Sequence, residues 1–174
     1  VNARSVAKKL GCSTQPIYLS FQSMDALKAA LIERATAMHA QRVQDFIQSH
    51  EGDDSRYTGY GMGFVHFAAQ ERQLFRWLYL EDNQPGRFQD DMLLSETLQT
   101  IMDEFGYDEA TARSFHRDMV YYAYGLAILA NTGHLNLTEA ELREAFRREF
   151  CALTAIYGAP PKLPEFARKG GAAL

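Results

Sequence analysis

Apolar residues recur at spacings of three and four along most of the chain, and no stretch sustains apolar/polar alternation, so the pattern predicts an all-α fold. Near the start, Val6, Ala7 and Leu10 share one helical face, Asn2 is placed to cap that helix, and Gly11 supplies a stop. A second short helix is expected at once, with Ser13 as its N-cap and Pro16 in the first turn, where backbone N–H groups lack helical partners anyway. Ser23 can cap a third, longer helix running to about Ser49, with Ala26, Leu27, Ala30, Leu31, Ala35 and Met38 as its inner stripe.

The polar, glycine-containing stretch 49–59 reads as a connection, dividing the chain into a head (1–48, including the connecting helix) and a body (49–174). The body opens with a helical stretch interrupted between Gln70 and Gln73, breaks at "NQPGR" (83–87), and resumes as a helix from Gln89 to Phe105. Asp108 is the expected N-cap and Gly133 the stop of a long helix. Phe115, Met119, Tyr122, Leu126 and Leu129 form one seam on it, and Val120, Tyr121, Tyr124 and Ile128 a second line, so more than one face needs cover. Thr138 and Glu141 make a capping box for a final helix with the seam Leu142, Phe146, Phe150, Leu153 and Tyr157, ended by Gly158 and Pro160-Pro161. The two closing helices can fill both seams within one subunit; alternatively, 108–133 and 138–157 from two copies form an intermolecular four-helix bundle, the homodimer expected here.

Composition adds limits. A hydrophobic share of 47% with 23% charged residues belongs to a folded globular chain. No apolar run approaches the roughly 20 residues that span a bilayer, and the first residues lack the apolar core of a signal peptide, so no membrane partner and a cytoplasmic location are expected. The net charge of −4 is uneven: residues 1–42 hold six basic and two acidic residues (+4), leaving −8 on the rest. A basic head suits a polyanion, and an acidic body stays off it.

Several chemistries are not indicated. Cys12 and Cys151 lie too far apart in sequence to suggest a zinc site or a disulfide framework. The histidines form no HExxH, no Gly-x-Ser-x-Gly is present, and Gly59, Gly61 and Gly63 have neither a preceding strand nor a following Gly-Lys-Ser/Thr, so close helix packing or fraying is their expected role. No catalytic residue, metal site or cofactor is assigned, and the chain is not expected to be an enzyme.

A short helix, a Gly-containing turn and a second short helix make a helix-turn-helix, whose second helix can enter the major groove. Thr14 and Gln15 stand at its tip, where Gln can pair with adenine. Pro16 offers a flat apolar surface to a thymine methyl, and the Tyr18 hydroxyl can reach a phosphate. Ile17 and Phe21, at i and i+4, face inward. The same spacing also fits a plain αα-hairpin with all three large side chains in the core.

At residues 3–31, "ARSVAKKLGCSTQPIYLSFQSMDALKAAL", the chain resembles the DNA-binding head of the TetR/AcrR family of bacterial transcription regulators. The resemblance implies that Ser13, Thr14, Gln15, Pro16, Tyr18 and Leu19 belong to the recognition helix and that Lys28 lies near the DNA backbone. Ser20 and Met24 depart from the family, which often has His and Lys there, so one or two phosphate contacts are in doubt. The family's head has three helices, and this sequence opens at the second, so an upstream helix is expected in the natural protein.

The body is similar to the family's ligand-binding and dimerisation domain in length and in its two long closing helices. Phe64, Phe67, Phe75, Trp77, Tyr79, Tyr121, Tyr122 and Tyr124, with Met62, Met92, Met102 and Met119, make it rich in core-forming side chains. Polar tips of Tyr and His among them suit a pocket for a mostly apolar small molecule with one or two hydrogen-bonding groups. His66, His116 and Tyr121 are the polar candidates, with Phe67, Trp77 and Tyr124 beside them. The expectation is a homodimeric, ligand-responsive regulator, acting as a repressor on a palindromic operator in double-stranded DNA. Two rivals stay open: a helical small-molecule carrier or enzyme without DNA binding, and a dimerisation module that titrates another regulator.

Overall fold

The structure, a computed structural model, describes residues 2–50, 55–81 and 94–162. The fold is all-α, with no strand among the described residues. The chain divides into two compact units, Val1–Met38 and His39–Leu174. That division falls inside a helix, about three turns ahead of the polar connection at 49–59, because the helix is continuous through it.

In the first unit, α1 (Ala3–Leu10) begins with a capping box: Asn2 Oδ1 accepts from Ser5 N–H at 2.9 Å, and the Ser5 hydroxyl faces the Asn2 amide. Gly11 ends it at φ 67°, a left-handed conformation that glycine adopts without a Cβ clash, and Cys12 N–H closes the turn on the Ala7 carbonyl at 3.0 Å. α2 (Gln15–Ser20) has Pro16 in its first turn, as expected. Its cap differs from expectation: Thr14, not Ser13, precedes the first helical residue, and its side chain makes no cap hydrogen bond because its backbone (φ −75°, ψ −14°) is already helical. α3 (Met24–Ser49) starts where Ser23 Oγ accepts from Ala26 N–H at 3.1 Å.

Ala3, Ala7, Ile17 and Leu27 form the small core of this unit, with Val6, Phe21 and Met24 partly buried against it. The expected stripe on α3 is therefore narrower than read: Leu27 and Ala35 are buried, whereas Ala26, Leu31 and Met38 are exposed.

The second unit holds the rest of α3 with α4 (Arg56–Gln70), α5 (Arg72–Phe75), a single π-helical turn (Arg76–Leu80), α6 (Leu94–Phe105), α7 (Glu109–Thr132) and α8 (Glu139–Tyr157). Ser55 Oγ caps α4 by accepting from Thr58 N–H at 3.0 Å, so the connection is shorter than the polar composition suggested. The break between Gln70 and Gln73 occurs at Glu71. Asn131, fully buried near the end of α7, makes this break tolerable: its Nδ2 donates to the Ala68 and Arg72 carbonyls at 2.9 and 3.0 Å, and its Oδ1 accepts from Arg76 Nε at 3.0 Å. Carbonyls freed by interrupting a helix thus find a side-chain partner. The turn at 83–87, residues 51–54 of the connection and the start of the helix expected from Gln89 lie outside the described residues.

α7 starts at Asp108, whose Oδ1 accepts from Thr111 N–H at 2.8 Å, and stops at Gly133; α8 starts with the Thr138–Glu141 capping box. Leu142, Phe146, Phe150 and Leu153 are buried as the α8 seam predicts. The α7 seam takes another course. Ala112, Phe115, Met119, Ala123, Ala127 and Asn131 are buried, while Tyr122 and Leu126 are half-buried and Leu129 is exposed. Small alanines let neighbouring helices approach this face, and that close approach moved the seam off the larger side chains.

Phe75, Phe105 and Phe115 are fully buried, each removing from water a side chain worth about 1.5–3 kcal/mol. The Gly59-x-Gly61-x-Gly63 run sits at close helix contacts: a Cβ at Gly61 would lie 2.8 Å from the Phe146 ring, and one at Gly63 would lie 3.3 Å from Val43 Cα. Among the described residues no helix is long and apolar enough to cross a membrane.

Candidate functional site

The first unit presents the tip of α2. Ser13, Gln15, Pro16, Tyr18 and Leu19 are exposed and Thr14 is half-buried, whereas Ile17 points into the core at 6% exposure. One buried side chain therefore anchors a six-residue helix and leaves its other faces to solvent. Leu19 is 79% exposed and Tyr18 54%, unusual for such large apolar bodies in a unit with so small a core. Phe21 packs partly buried against that core, so the two aromatics divide, Tyr18 outward and Phe21 inward. Arg4, Lys8 and Lys9 are exposed on α1, the two lysines in its last turn, where they also meet the negative end of the helix dipole. Lys28, in the first turns of α3, lies 3.7 Å from the exposed Asp25 carboxylate, a surface pair that holds it only weakly.

The second unit contains a partly open cavity of about 80 Å³. It is framed by two helix faces. Tyr57, Tyr60, Gly61 and Phe64 face it from α4 at i, i+3, i+4 and i+7, and His116, Met119, Val120, Ala123 and Tyr124 face it from α7 at the same kind of spacing. His39 and Val43 of α3, Thr97 of α6 and Phe146 of α8 complete the wall. Apolar and aromatic side chains dominate, with a few polar tips between them.

Tyr57 and His116 form the central polar pair, Tyr57 Oη lying 3.1 Å from His116 Nδ1. Burial pushes the His116 imidazole down to about 4, so it is neutral near pH 7, and burial raises Tyr57, which keeps its proton. In the tautomer in which the phenol donates to Nδ1, the ring proton resides on Nε2. On another wall His39 Nδ1 lies 2.8 Å from the Tyr79 hydroxyl, and the His39 ring packs on Phe64 and Phe67. Tyr79 belongs to the π-helical turn, which aims it at His39 and Tyr124.

Charged groups stand beside the cavity and are engaged elsewhere. Glu104 accepts from the Arg56 and Tyr57 N–H groups at 2.9 and 3.3 Å, closing the start of α4. Burial raises its carboxyl despite those bonds. The Arg56 guanidinium donates to Tyr60 Oη at 3.2 Å and to Glu96 at 2.6 Å.

Of the six residues proposed from sequence for a ligand, the structure brings His116 and Tyr124 to the cavity wall. Phe67, 2% exposed, lies one layer behind, with its ring 4.7 Å from that of His39. His66 packs beside Phe46 at 5.3 Å, half-buried, and Trp77 sits half-buried in the π-helical turn; neither lines the cavity. Tyr121 is 56% exposed because its helical phase, one residue past Val120, turns it to the outside of α7. Sequence reading passed over Tyr57, His39 and Thr97. The Tyr57-Tyr60-Gly61-Phe64 stripe was there to be read, but Thr97 and His39 are joined to it only by the tertiary fold.

Among the described residues no three His, Cys, Asp or Glu side chains come together as a metal would need. No protein-family model, curated protein or solved structure matches the chain.

Proposed function

We propose that the chain is a ligand-responsive, DNA-binding transcriptional regulator of the TetR/AcrR type, acting as a repressor. In this reading α1, the Gly11 turn and α2 are a helix-turn-helix, and α2 is the recognition helix. The observation that carries the reading is the tip of α2: Gln15, Pro16, Tyr18 and Leu19 exposed together on a helix whose neighbour Ile17 is buried. Exposed basic residues on α1 favour the same partner. Gln15 would read a base edge, Pro16 and Leu19 would meet thymine methyls, and Tyr18 and Lys28 would contact phosphates.

The cavity between α4 and α7 is the effector site in this reading. A homodimer through α7 and α8 is supported by the apolar side chains left exposed there: Tyr121, Ile128 and Leu129 on α7, and Ile156, 70% exposed, on α8. Two copies would then present two recognition helices to the half-sites of a palindrome. An effector that weakens DNA binding must itself be bound more weakly, by the same factor, when DNA is present.

Footprinting of the full-length protein on its own promoter DNA tests the reading, with Gln15→Ala/Tyr18→Ala as control. A protected palindrome that disappears in the double variant supports it. Absence of any protected site in a genome-wide selection of bound fragments would overturn it, and would favour the carrier reading, for which the cavity alone suffices.

A further inference from the structure

The cavity wall narrows the chemistry of the effector. Among the polar groups on its wall, the hydroxyl of Thr97, a residue 4% exposed, and Nε2 of His116 make no hydrogen bond among the described residues. His116 is held by the Tyr57 hydroxyl on its other nitrogen; with the phenol donating there, Nε2 carries a proton to give, and the Thr97 hydroxyl can give or accept one. An oxygen that accepts one hydrogen bond and offers or accepts another matches the two.

The remaining wall is mostly Phe64, Met119, Val120, Ala123 and Phe146 with tyrosine rings, joined by His39, Val43, Thr58 and Gly61, and no Asp, Glu, Lys or Arg lines the cavity among the described residues. Arg56 and Glu96 are paired at 2.6 Å, and Glu104 is held by backbone N–H groups. A carboxylate or ammonium entering the cavity would lose water and meet no carboxylate, ammonium or guanidinium to offset that loss. The volume of about 80 Å³ is smaller than the roughly 150 Å³ of an engineered apolar hole that takes up benzene, so a single ring fills it and reaches into its open side.

Resting on the reading of this cavity as the effector site, we infer that the effector is an uncharged alcohol, phenol or carbonyl compound of about one ring, its oxygen held between Thr97 and His116. The cavity selects against anions and cations of the same size. Loss of either polar contact costs about a tenfold drop in affinity, the usual worth of one hydrogen bond in a partly buried site.

Calorimetric titration of the full chain, without DNA, with phenol, benzoate and benzylammonium tests this. Phenol is expected to bind, and each ion to bind at least about tenfold more weakly. Thr97→Val and His116→Gln should each weaken phenol about tenfold, with thermal melting to show that the variants fold. In the unmodified chain, phenol should shift the His116 ring resonances, a readout that needs no variant. Binding of benzoate or benzylammonium as tight as phenol, no phenol binding at all, or phenol binding that leaves His116 unmoved would each overturn the inference. Because DNA is absent, these failures leave the DNA reading standing. Conversely, a chain that selects phenol but binds no DNA loses the regulator reading alone.

Discussion

The two units bury their side chains in opposite styles. The first gathers its core from Ala3, Ala7, Ile17 and Leu27, two of them alanines, and leaves Leu10, Tyr18, Leu19 and Leu31 exposed. The second buries Phe75, Phe105 and Phe115 completely, meshes glycines of α4 against Phe146 and Val43, and satisfies a buried Asn131 with three hydrogen bonds. On the reading proposed above, the unit with few buried contacts and many large exposed side chains would act through its surface, and the unit with dense aromatic contacts through its cavity.

The contrast yields an ordered set of substitutions. Phe115→Ala should cost the second unit about 3–5 kcal/mol, read from denaturant melts, since the ring is fully buried and contacts Phe105, Tyr107 and Phe150. Ile17→Ala should cost the first unit about 2–5 kcal/mol, visible as faster amide exchange in α1 and α2. Equal acceleration throughout the second unit would break the comparison. Asn131→Ala should cost about 1–3 kcal/mol or more, because two carbonyls and the Arg76 side chain lose their partner together.

The pH response of the second unit follows from His116. Its folded-state value is depressed to about 4 from 6.5, so the unfolded chain takes up a proton in that window that the folded chain refuses. This contribution to stability is complete above pH 6.5 and is lost as pH falls toward 4, by up to roughly 3 kcal/mol. Glu104, raised by burial, works in the opposite sense, so the comparison to make is the chain against His116→Gln across that range. The variant should show the shallower loss on acidification. Gly61→Ala should destabilise by about 1–3 kcal/mol through the Phe146 ring, and the smallest effect is Gly125→Ala, with open space around it, which should stabilise by about 0.5–1 kcal/mol.

What was legible in the sequence was local. Asn2, Ser23, Asp108 and Thr138 cap helices because their side chains meet backbone only three residues on, and Gly11 and Gly133 end helices through their own φ. The division of Ile17 from Tyr18 followed from one helical period. Tertiary contacts hid the rest. The α7 seam runs through Ala123 and Ala127 because neighbouring helices come close there, which no count of large apolar residues reveals. Ser13 and Thr14 are both good cap residues, and only the turn's backbone decided between them. At the cavity, His116 and Tyr124 were readable as polar tips on an apolar helix, whereas Thr97 gained its place from α6 packing against α4 and α7.

The central claim is that DNA recognition belongs to the first unit's surface and effector recognition to the second unit's interior. The most direct measurement is fluorescence anisotropy on the chain's own promoter fragment, with phenol titration in parallel, for Gln15→Ala/Tyr18→Ala and for Thr97→Val. The account predicts that the first variant loses DNA affinity by about 100-fold, two side-chain contacts at about tenfold each, and binds phenol unchanged. It predicts that the second variant weakens phenol and leaves DNA affinity intact. A Gln15→Ala/Tyr18→Ala protein that binds the fragment as tightly as the original would contradict it.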